Sequence, residues 1–248
     1  MEIKKFYSLI DGLNSIKKEQ QIAEICTSFC ELVGMPYYFI SVFSKASVYA
    51  PVIDTITNLP EQWIKDYVGA SFQKIGPTVA YMFHDHRPVR WDRFIYDRLF
   101  QEAEHEKLIE FAHGRGLTHG FSMPLSSLSS EFAIYSMATG DKESSVGRMD
   151  LVMPFAHMYG THLFQRYVTL LRENDTAPFK LTERERECMF WACEGKTTWE
   201  ISRIVEISER TVIYHLHNST QKLGASNRQH AVAIAIEKGL ITQNRMPV

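Results

Sequence analysis

Two spacings of hydrophobic residues divide the first 171 residues of the chain into helices and strands. Apolar positions recur at helical intervals over Ile3–Val33, with a polar break at Lys17–Gln21, which predicts two amphipathic helices. Alternating, β-branched and aromatic residues predict strands at Tyr37–Phe43, Tyr49–Ile56, Gly120–Leu125 and Phe132–Ala138. Further helices are predicted at Pro60–Val68, Glu102–Arg115 and Asp150–Leu171. This mixture is typical of an α+β domain, in which helices pack on an antiparallel sheet.

A polar segment without hydrophobic period, Arg172–Lys180, follows the last of these helices and contains a proline. We therefore expect a domain over 1–171, a linker over 172–180 and a second domain over 181–248. The second domain is predicted to be four short helices. The first begins at Thr182 with a capping box and ends at Gly195. The others are expected at Thr198–Ile204 with Ile201 and Ile204 inward, at Arg210–Leu223 after the N-cap Ser208, and at Asn227–Lys238.

A short helix, a tight turn and an N-capped helix with a polar outer face are typical of helix-turn-helix DNA readers. The helix after Ser208 would enter the major groove, where Arg210 could reach phosphate or guanine and Ile213 a thymine methyl group. The outward or phosphate-facing residues predicted to contact DNA are Lys196, Thr197, Glu209, Arg210, Thr211, Ile213, Tyr214, His217, Lys222 and Arg228. A helical bundle without a DNA role is the alternative.

Composition and charge leave that choice open. The chain has 248 residues, 45% of them hydrophobic and 23% charged, which is ordinary for a globular protein of two domains. Its net charge of −2 gives no bulk attraction to nucleic acid. Positive charge for DNA binding must therefore be concentrated on one face or doubled by dimerisation.

Other function classes find little support in the sequence. Cys26 and Cys30 lie one helical turn apart, as expected of small buried residues, and no cysteine pair has metal-binding spacing. The cluster His84–His86 lacks a clear third ligand, so neither a metal site nor an enzyme is expected, and no cofactor is predicted. The N-terminus does not resemble a signal peptide, and no run of 18 apolar residues occurs. We expect a cytoplasmic protein that does not interact with membranes.

The C-terminal segment resembles the LuxR-type helix-turn-helix. The elements that carry the resemblance are LTERERE, GKTTWEIS, ISERTVIYH, KLGASNR and the closing GLI. The resemblance implies binding to inverted-repeat DNA as a homodimer, often through the last helix, here Asn227–Lys238. It also implies that Ile213 and His217 face bases, whereas Lys196, Thr197 and Arg210 lie near the backbone.

The region from about Phe6 to Leu171 resembles the autoinducer-binding domain of quorum-sensing LuxR-type regulators. The residues that carry this resemblance are Asn58, Pro60, Trp63, Tyr67, Gly76-Pro77, Trp91, Gly116 and Gly120. It implies an α-β-α sandwich that holds an acyl-homoserine lactone between sheet and helices. Trp63 would donate its indole N–H to a ligand carbonyl, and Tyr67 and Trp91 would form aromatic walls. Gly120 would allow close packing, and Ser136 would be a possible hydroxyl contact.

Two positions depart from this family pattern. Gly76 stands where the family has an aspartate that accepts the ligand's amide N–H, and Leu59 where it usually has a tyrosine that binds the acyl carbonyl. Burying an amide N–H without an acceptor costs about 1–3 kcal/mol. The signal could therefore be a lipophilic compound without an amide. Alternatively, Asp54 or a water could supply the acceptor, so that acyl-homoserine lactone binding survives in weakened form.

Three functions follow from these observations. The leading hypothesis is a ligand-responsive transcription activator, in which the signal stabilises the first domain and favours a dimer on palindromic DNA. A constitutive DNA-binding regulator whose aromatic side chains fill the pocket is the alternative. An enzyme with an accessory DNA-binding domain is the third and is disfavoured by the absence of a nucleotide-binding or nucleophile motif.

Overall fold

The computed structural model describes residues 2–18, 20–45, 51–72, 77–82, 84–94, 103–127, 131–140, 145–174 and 180–241. These fall into two compact units, a sheet unit within 2–174 and a helical unit within 180–241. The last helix of the sheet unit, Ser145–Asn174, extends into the predicted linker. The domain boundaries themselves stay a prediction.

The sheet unit consists of five strands and seven helices among the described residues. In chain order they are α1 (Ile3–Ser15), α2 (Gln20–Val33), β1 (Tyr37–Lys45), β2 (Pro51–Thr57), α3 (Glu61–Gly69), α4 (Pro77–Met82), β3 (Val89–Arg90), α5 (Trp91–Phe94), α6 (Ala103–His113), β4 (His119–Ser126), β5 (Phe132–Thr139) and α7 (Ser145–Asn174). The strands are antiparallel in the order β2-β1-β5-β4-β3.

One face of the sheet packs on α1, α2 and α7. Alternate strand residues supply this face because successive side chains of a strand point to opposite sides. In β1, for example, Tyr38, Ile40 and Val42 are buried in a core shared with Phe29 of α2 and Tyr159 of α7. The Phe29 and Tyr159 rings are stacked with their centroids 4.0 Å apart. The other face of the sheet carries a cavity, described below, and the α-β-α sandwich is thereby confirmed.

The sequence did not predict β3 or α5, and it placed the start of α7 too late. A strand of two residues is too short to show alternation, and α5 has only four residues. The long helix begins at Ser145 rather than at Asp150, and Pro154 lies inside it. The predicted burial of Cys26 and Cys30 is confirmed.

The helical unit has four helices: α8 (Glu183–Cys193), α9 (Thr198–Ile204), α10 (Glu209–Lys222) and α11 (Arg228–Glu237). The predicted capping box is present, because the Thr182 hydroxyl accepts from the Glu185 N–H and the Glu185 carboxylate accepts from the Thr182 N–H. Ser208 caps α10 by accepting from the Thr211 N–H at 3.1 Å. The all-α class predicted for this region is confirmed.

The turn between α9 and α10 contains a left-handed residue. Glu206 has φ of 57°, and the N–H of Ile207 donates to the Ser202 carbonyl, as in helix ends that usually carry glycine. The prediction that Ile204 points inward was wrong: it is 42% exposed, whereas Ile201 is fully buried. Residues three apart on a short helix can fall on either side of its buried stripe, and the helix ends at this residue.

Candidate functional site

A cavity of about 560 Å³ lies between the second face of the sheet and the helices α3 to α6. Its walls are aromatic and aliphatic for the most part. The polar exceptions among the described residues are hydroxyls, imidazoles and one carboxylate. The lining residues are Tyr37, Tyr38, Phe39, Ser41, Phe43, Leu59, Trp63, Tyr67, Thr78, Val79, Trp91, Asp92, Leu108, Ile109, Ala112, His113, Leu117, Thr118, His119, Ile134, Ser136 and Ala138.

Helix α3 places two aromatic side chains side by side in one wall. Trp63 and Tyr67 are one turn apart, so they share a face, and their rings stack with centroids 5.0 Å apart. Phe39 of β1 meets Tyr67 edge-on at 5.5 Å. The Trp63 indole nitrogen is buried without a hydrogen-bond partner among the described residues. Burial raises the pKa of Tyr67, so its hydroxyl stays protonated.

A second wall is built around Trp91, the first residue of α5. Its indole N–H donates to the Ser122 hydroxyl at 2.8 Å, and Ser122 lies 2.7 Å from the Ser136 hydroxyl of the neighbouring strand. The ring lies so close to Gly120 that a Cβ there would sit 2.8 Å from one of its carbons. A glycine at this position therefore permits the Trp91 ring to pack against the sheet.

Most residues implicated by the family resemblance are brought to one place. Leu59, Trp63, Tyr67, Trp91 and Ser136 line the cavity, and Gly120 underlies the Trp91 ring in the way described above. Gly76 lies outside the described residues. The functional roles of these residues stay predictions.

Asp54, which was the alternative acceptor for the amide N–H of a ligand, does not face the cavity. It pairs across the sheet with Val42, which is buried in the core with α1, α2 and α7. Directly opposed residues of neighbouring strands project to the same face, so Asp54 lies on the side away from the cavity. Leu59 lines the cavity but has no hydroxyl.

Two residues with polar contacts at or beside the cavity were not singled out from the sequence. Asp92 is the lining carboxylate; Arg90 donates to both of its oxygens, and this pairing lowers the pKa of Asp92. Arg90 also donates to Asp150 of α7 at 3.2 Å. Ser122, which connects Trp91 to Ser136, was the second. Asp92 could have been suspected because it directly follows Trp91, which was already predicted to line the cavity. A serine within a strand gives no such indication.

The helical unit displays one face of α10 to solvent. Glu209, Arg210, Ile213, Tyr214 and His217 are all exposed, as predicted, while Thr211 is half-buried. Ile213 and Tyr214 are 55% and 61% exposed, so this face offers apolar as well as polar side chains. The His217 ring lies 2.9 Å from the Gln221 amide nitrogen, one turn further along.

Four other residues predicted to contact DNA have partners inside the helical unit. Thr197 caps α9 in a second capping box, and its hydroxyl donates to Glu200. The Lys222 ammonium lies 2.7 Å from the buried carboxylate of Glu185. Arg228 donates to the carbonyl of Lys196 at 2.6 Å. These contacts fix side chains near the start of α9 and the end of α10, and contacts of these residues with DNA stay a prediction.

Among the described residues, no cluster of three or more metal-ligating side chains occurs. A search of the same residues finds no helix that is long and apolar enough to span a membrane.

A sandwich that encloses an apolar cavity, followed along the chain by a helix-turn-helix module, defines a ligand-responsive DNA-binding regulator. The model of the autoinducer binding domain matches residues 18–167, and that of the bacterial regulatory proteins of the luxR family matches residues 180–235. The chain belongs to the LuxR family of transcription regulators. It is a quorum-sensing-type regulator rather than an enzyme, as predicted.

Relatives align with nearly the whole chain. The transcriptional activator LuxR of Aliivibrio fischeri is 31% identical over 94% of this chain and 93% of its own length. VanR of Vibrio anguillarum is 31% identical over 96% of this chain and 98% of its own length. Among solved structures, Escherichia coli SdiA covers 97% of this chain and 99% of its own with a TM-score of 0.77 at 24% identity, which confirms the fold.

Proposed function

We propose that the cavity binds a lipophilic acyl compound and reads its carbonyl group. The observation that carries this proposal is the buried indole N–H of Trp63, which lines the cavity and has no acceptor among the described residues. A buried donor without a partner is costly, and a ligand carbonyl would relieve that cost. The volume of about 560 Å³ is in the range of small-molecule sites.

Both acyl-homoserine lactones and acyl compounds without an amide offer this carbonyl. Leu59 has no group that could donate to the ligand carbonyl. Asp54 lies on the side of the sheet away from the cavity and therefore cannot accept an amide N–H, so the proposed recognition does not depend on an amide. A structure of E. coli SdiA, whose fold this chain shares, was determined in complex with octanoyl-rac-glycerol, an ester. This supports an amide-free ligand as one member of the class.

Thermal unfolding of the full chain tests the proposal, with N-octanoyl-homoserine lactone and octanoyl-rac-glycerol as separate probes. A ligand at 100 times its Kd stabilises the folded state by about 2.7 kcal/mol. Trp63→Phe should reduce the shift because it keeps the ring and removes the donor. Trp199→Phe is the matched control, since Trp199 lies in the helical unit and is exposed. Folded, DNA-binding protein that responds to neither probe would instead support the constitutive alternative.

We propose that the protein acts as a homodimer and that an apolar ridge of the sheet unit contributes to the interface. Ile3 and Tyr7 of α1, together with Leu151 and Met158 of α7, are exposed. The two helices that carry these pairs meet where the rings of Phe6 and Phe155 lie 5.3 Å apart. Exposed apolar side chains grouped in this way are typical of protein interfaces. Leu151→Glu should shift sedimentation toward monomer, while Val68→Glu, an exposed position on α3, should not.

We propose that α10 reads palindromic promoter DNA in the cytoplasm and that the protein is an activator, like the relatives named above. Ile213 and His217 would contact bases, and Tyr214 would lie beside them. Ile213→Ala should weaken binding to the specific site but not to unrelated DNA, and Arg210→Ala should weaken both and reduce the salt dependence. Equal losses on both kinds of DNA for Ile213→Ala would contradict base reading.

A further inference from the structure

Three side chains of the sheet unit form a continuous row of hydrogen bonds that ends at the cavity. The Trp91 indole donates to Ser122 at 2.8 Å, and the hydroxyls of Ser122 and Ser136 are 2.7 Å apart. Ser122 is 2% exposed and is not among the described residues that line the cavity, whereas Ser136 is. Ser122 is thus directly opposed to Ser136 on the same side of the sheet, but it does not itself line the cavity.

The direction of this row follows from the chemistry of its first member. An indole nitrogen can only donate, so the Ser122 oxygen must accept from Trp91. A hydroxyl has one hydrogen, and the one acceptor within reach of Ser122 in the described residues is Ser136. In the reverse direction, Ser136 would donate to Ser122, and the Ser122 hydrogen would be buried without an acceptor.

We infer that Ser122 is a positioning residue that fixes the Ser136 hydroxyl as a donor toward a ligand oxygen. With the Ser136 oxygen accepting from Ser122, its hydrogen has no acceptor in the described part of the sheet unit and is free to point into the cavity. It thus adds a donor to the Trp63 N–H, which also lies in the cavity wall without a partner among the described residues. The ligand class this selects has acceptor oxygens, as in esters, lactones and ketones. The inference rests on the proposed function.

The test compares an ester with its ether. Octanoyl-rac-glycerol has a carbonyl group where 1-O-octyl-rac-glycerol has a methylene group. The Kd of the ether divided by the Kd of the ester therefore reports how strongly the site reads the carbonyl oxygen. Ser136→Ala should lower this ratio about three- to tenfold, the value of one hydrogen bond. Ser122→Ala should lower it by a similar factor, although Ser122 does not contact the ligand. The double variant should lower it no further, because the two residues act in series.

Ser219→Ala is the matched control. Ser219 is a buried serine of α10 in the helical unit, where its hydroxyl donates to the His215 carbonyl, and it does not line the cavity. It should leave the ratio unchanged. If Ser122→Ala does not fold, Trp91→Phe interrupts the row one step earlier, keeps a ring over Gly120 and should also lower the ratio.

The outcomes separate the inference from the proposed function. The ratio could fall in Ser136→Ala but stay unchanged in Ser122→Ala and Trp91→Phe. That result would refute the positioning role of Ser122, while the cavity would remain a ligand site. A ratio unchanged in Ser136→Ala would overturn the donor role. A wild-type protein that binds neither probe would overturn the proposed carbonyl recognition, and the inference with it.

Discussion

Replacing Gly120 with alanine tests whether the sheet and the Trp91 ring are as closely packed as described. The added Cβ would lie 2.7 Å from the Met137 carbonyl oxygen and 2.8 Å from a carbon of the Trp91 ring. Ordinary contacts of a Cβ begin at about 3.4 Å, so both neighbours must move by more than half an ångström. The carbonyl belongs to the neighbouring strand and cannot rotate away. Overpacking of this kind costs about 1–3 kcal/mol of unfolding free energy.

Gly147→Ala is the matched control for this substitution. Gly147 is an exposed residue of α7 in the same unit, and an added Cβ there would have nothing within 4 Å. Alanine is a better helix former, so this variant should gain about 0.5–1 kcal/mol. Urea denaturation compares the midpoints of the sheet unit's transition. A Gly120→Ala protein that unfolds at or above the wild-type midpoint would refute the close packing. If Gly120→Ala folds with the Trp91 ring displaced, it should also lose its preference for the ester over the ether.

Three further predictions concern the ends of helices and the cysteines. Glu206→Gly should stabilise the helical unit by about 0.5–1 kcal/mol in thermal unfolding, because Glu206 has a left-handed φ of 57°. Burial opposes ionisation of Glu185, but the ion pair with Lys222 and the hydrogen bonds from Thr182 together outweigh it, and the pKa of Glu185 lies below its ordinary value of 4.5. Its contribution to stability is therefore present above pH 4.5 and is lost as the pH falls through the lowered pKa, and Glu185→Gln should remove that part of the pH dependence. Native alkylation should label Cys193, which is exposed, well before Cys26, whose pKa is raised to about 12 by burial. Mass spectrometry of the labelled peptides checks this, and rapid modification of Cys26 in the folded protein would contradict its burial.

Helices and strands could be predicted from the sequence where the periodic spacing of hydrophobic residues was long enough to be recognised. The alternation of Tyr37–Phe43 and the helical spacing of Ile3–Val33 both lead to elements that the structure contains. The caps at Thr182 and Ser208 were visible because their side chains act on residues three positions away. By contrast, Val89–Arg90 contributes only two residues to the sheet and depends on a distant strand for its existence.

The cavity was only partly visible. Trp63 and Tyr67 could be grouped because one helical turn separates them, but no spacing connects Trp91 with Ser122, which is thirty-one positions away. The same limit explains why Asp54 was a reasonable candidate for the acceptor. Its side of the sheet follows from the register of β1 with β2, and a single strand does not disclose that register. The exposed Ile204 shows a related limit, since the buried side of a two-turn helix depends on its neighbours.

Residues 181–241 contain eight Lys or Arg and eight Asp or Glu, so this part of the chain has no net charge. The proposed dimer therefore becomes the step at which a signal can control DNA binding. Arg184 and Lys222 are paired with carboxylates, so even the basic residues of this unit are partly neutralised. One copy then has few free cations for phosphates, and nonspecific affinities for DNA are weak, about 10⁻⁴–10⁻⁶ M. Two linked copies can gain about 10²–10⁴-fold without any new contact to DNA. A ligand that stabilises the folded sheet unit raises the concentration of protein able to dimerise, and through it the occupancy of paired half-sites, even if the ligand leaves α10 itself unchanged. In that case the ligand should increase binding to a paired site far more than to an isolated half-site, and equal gains on both would contradict this coupling.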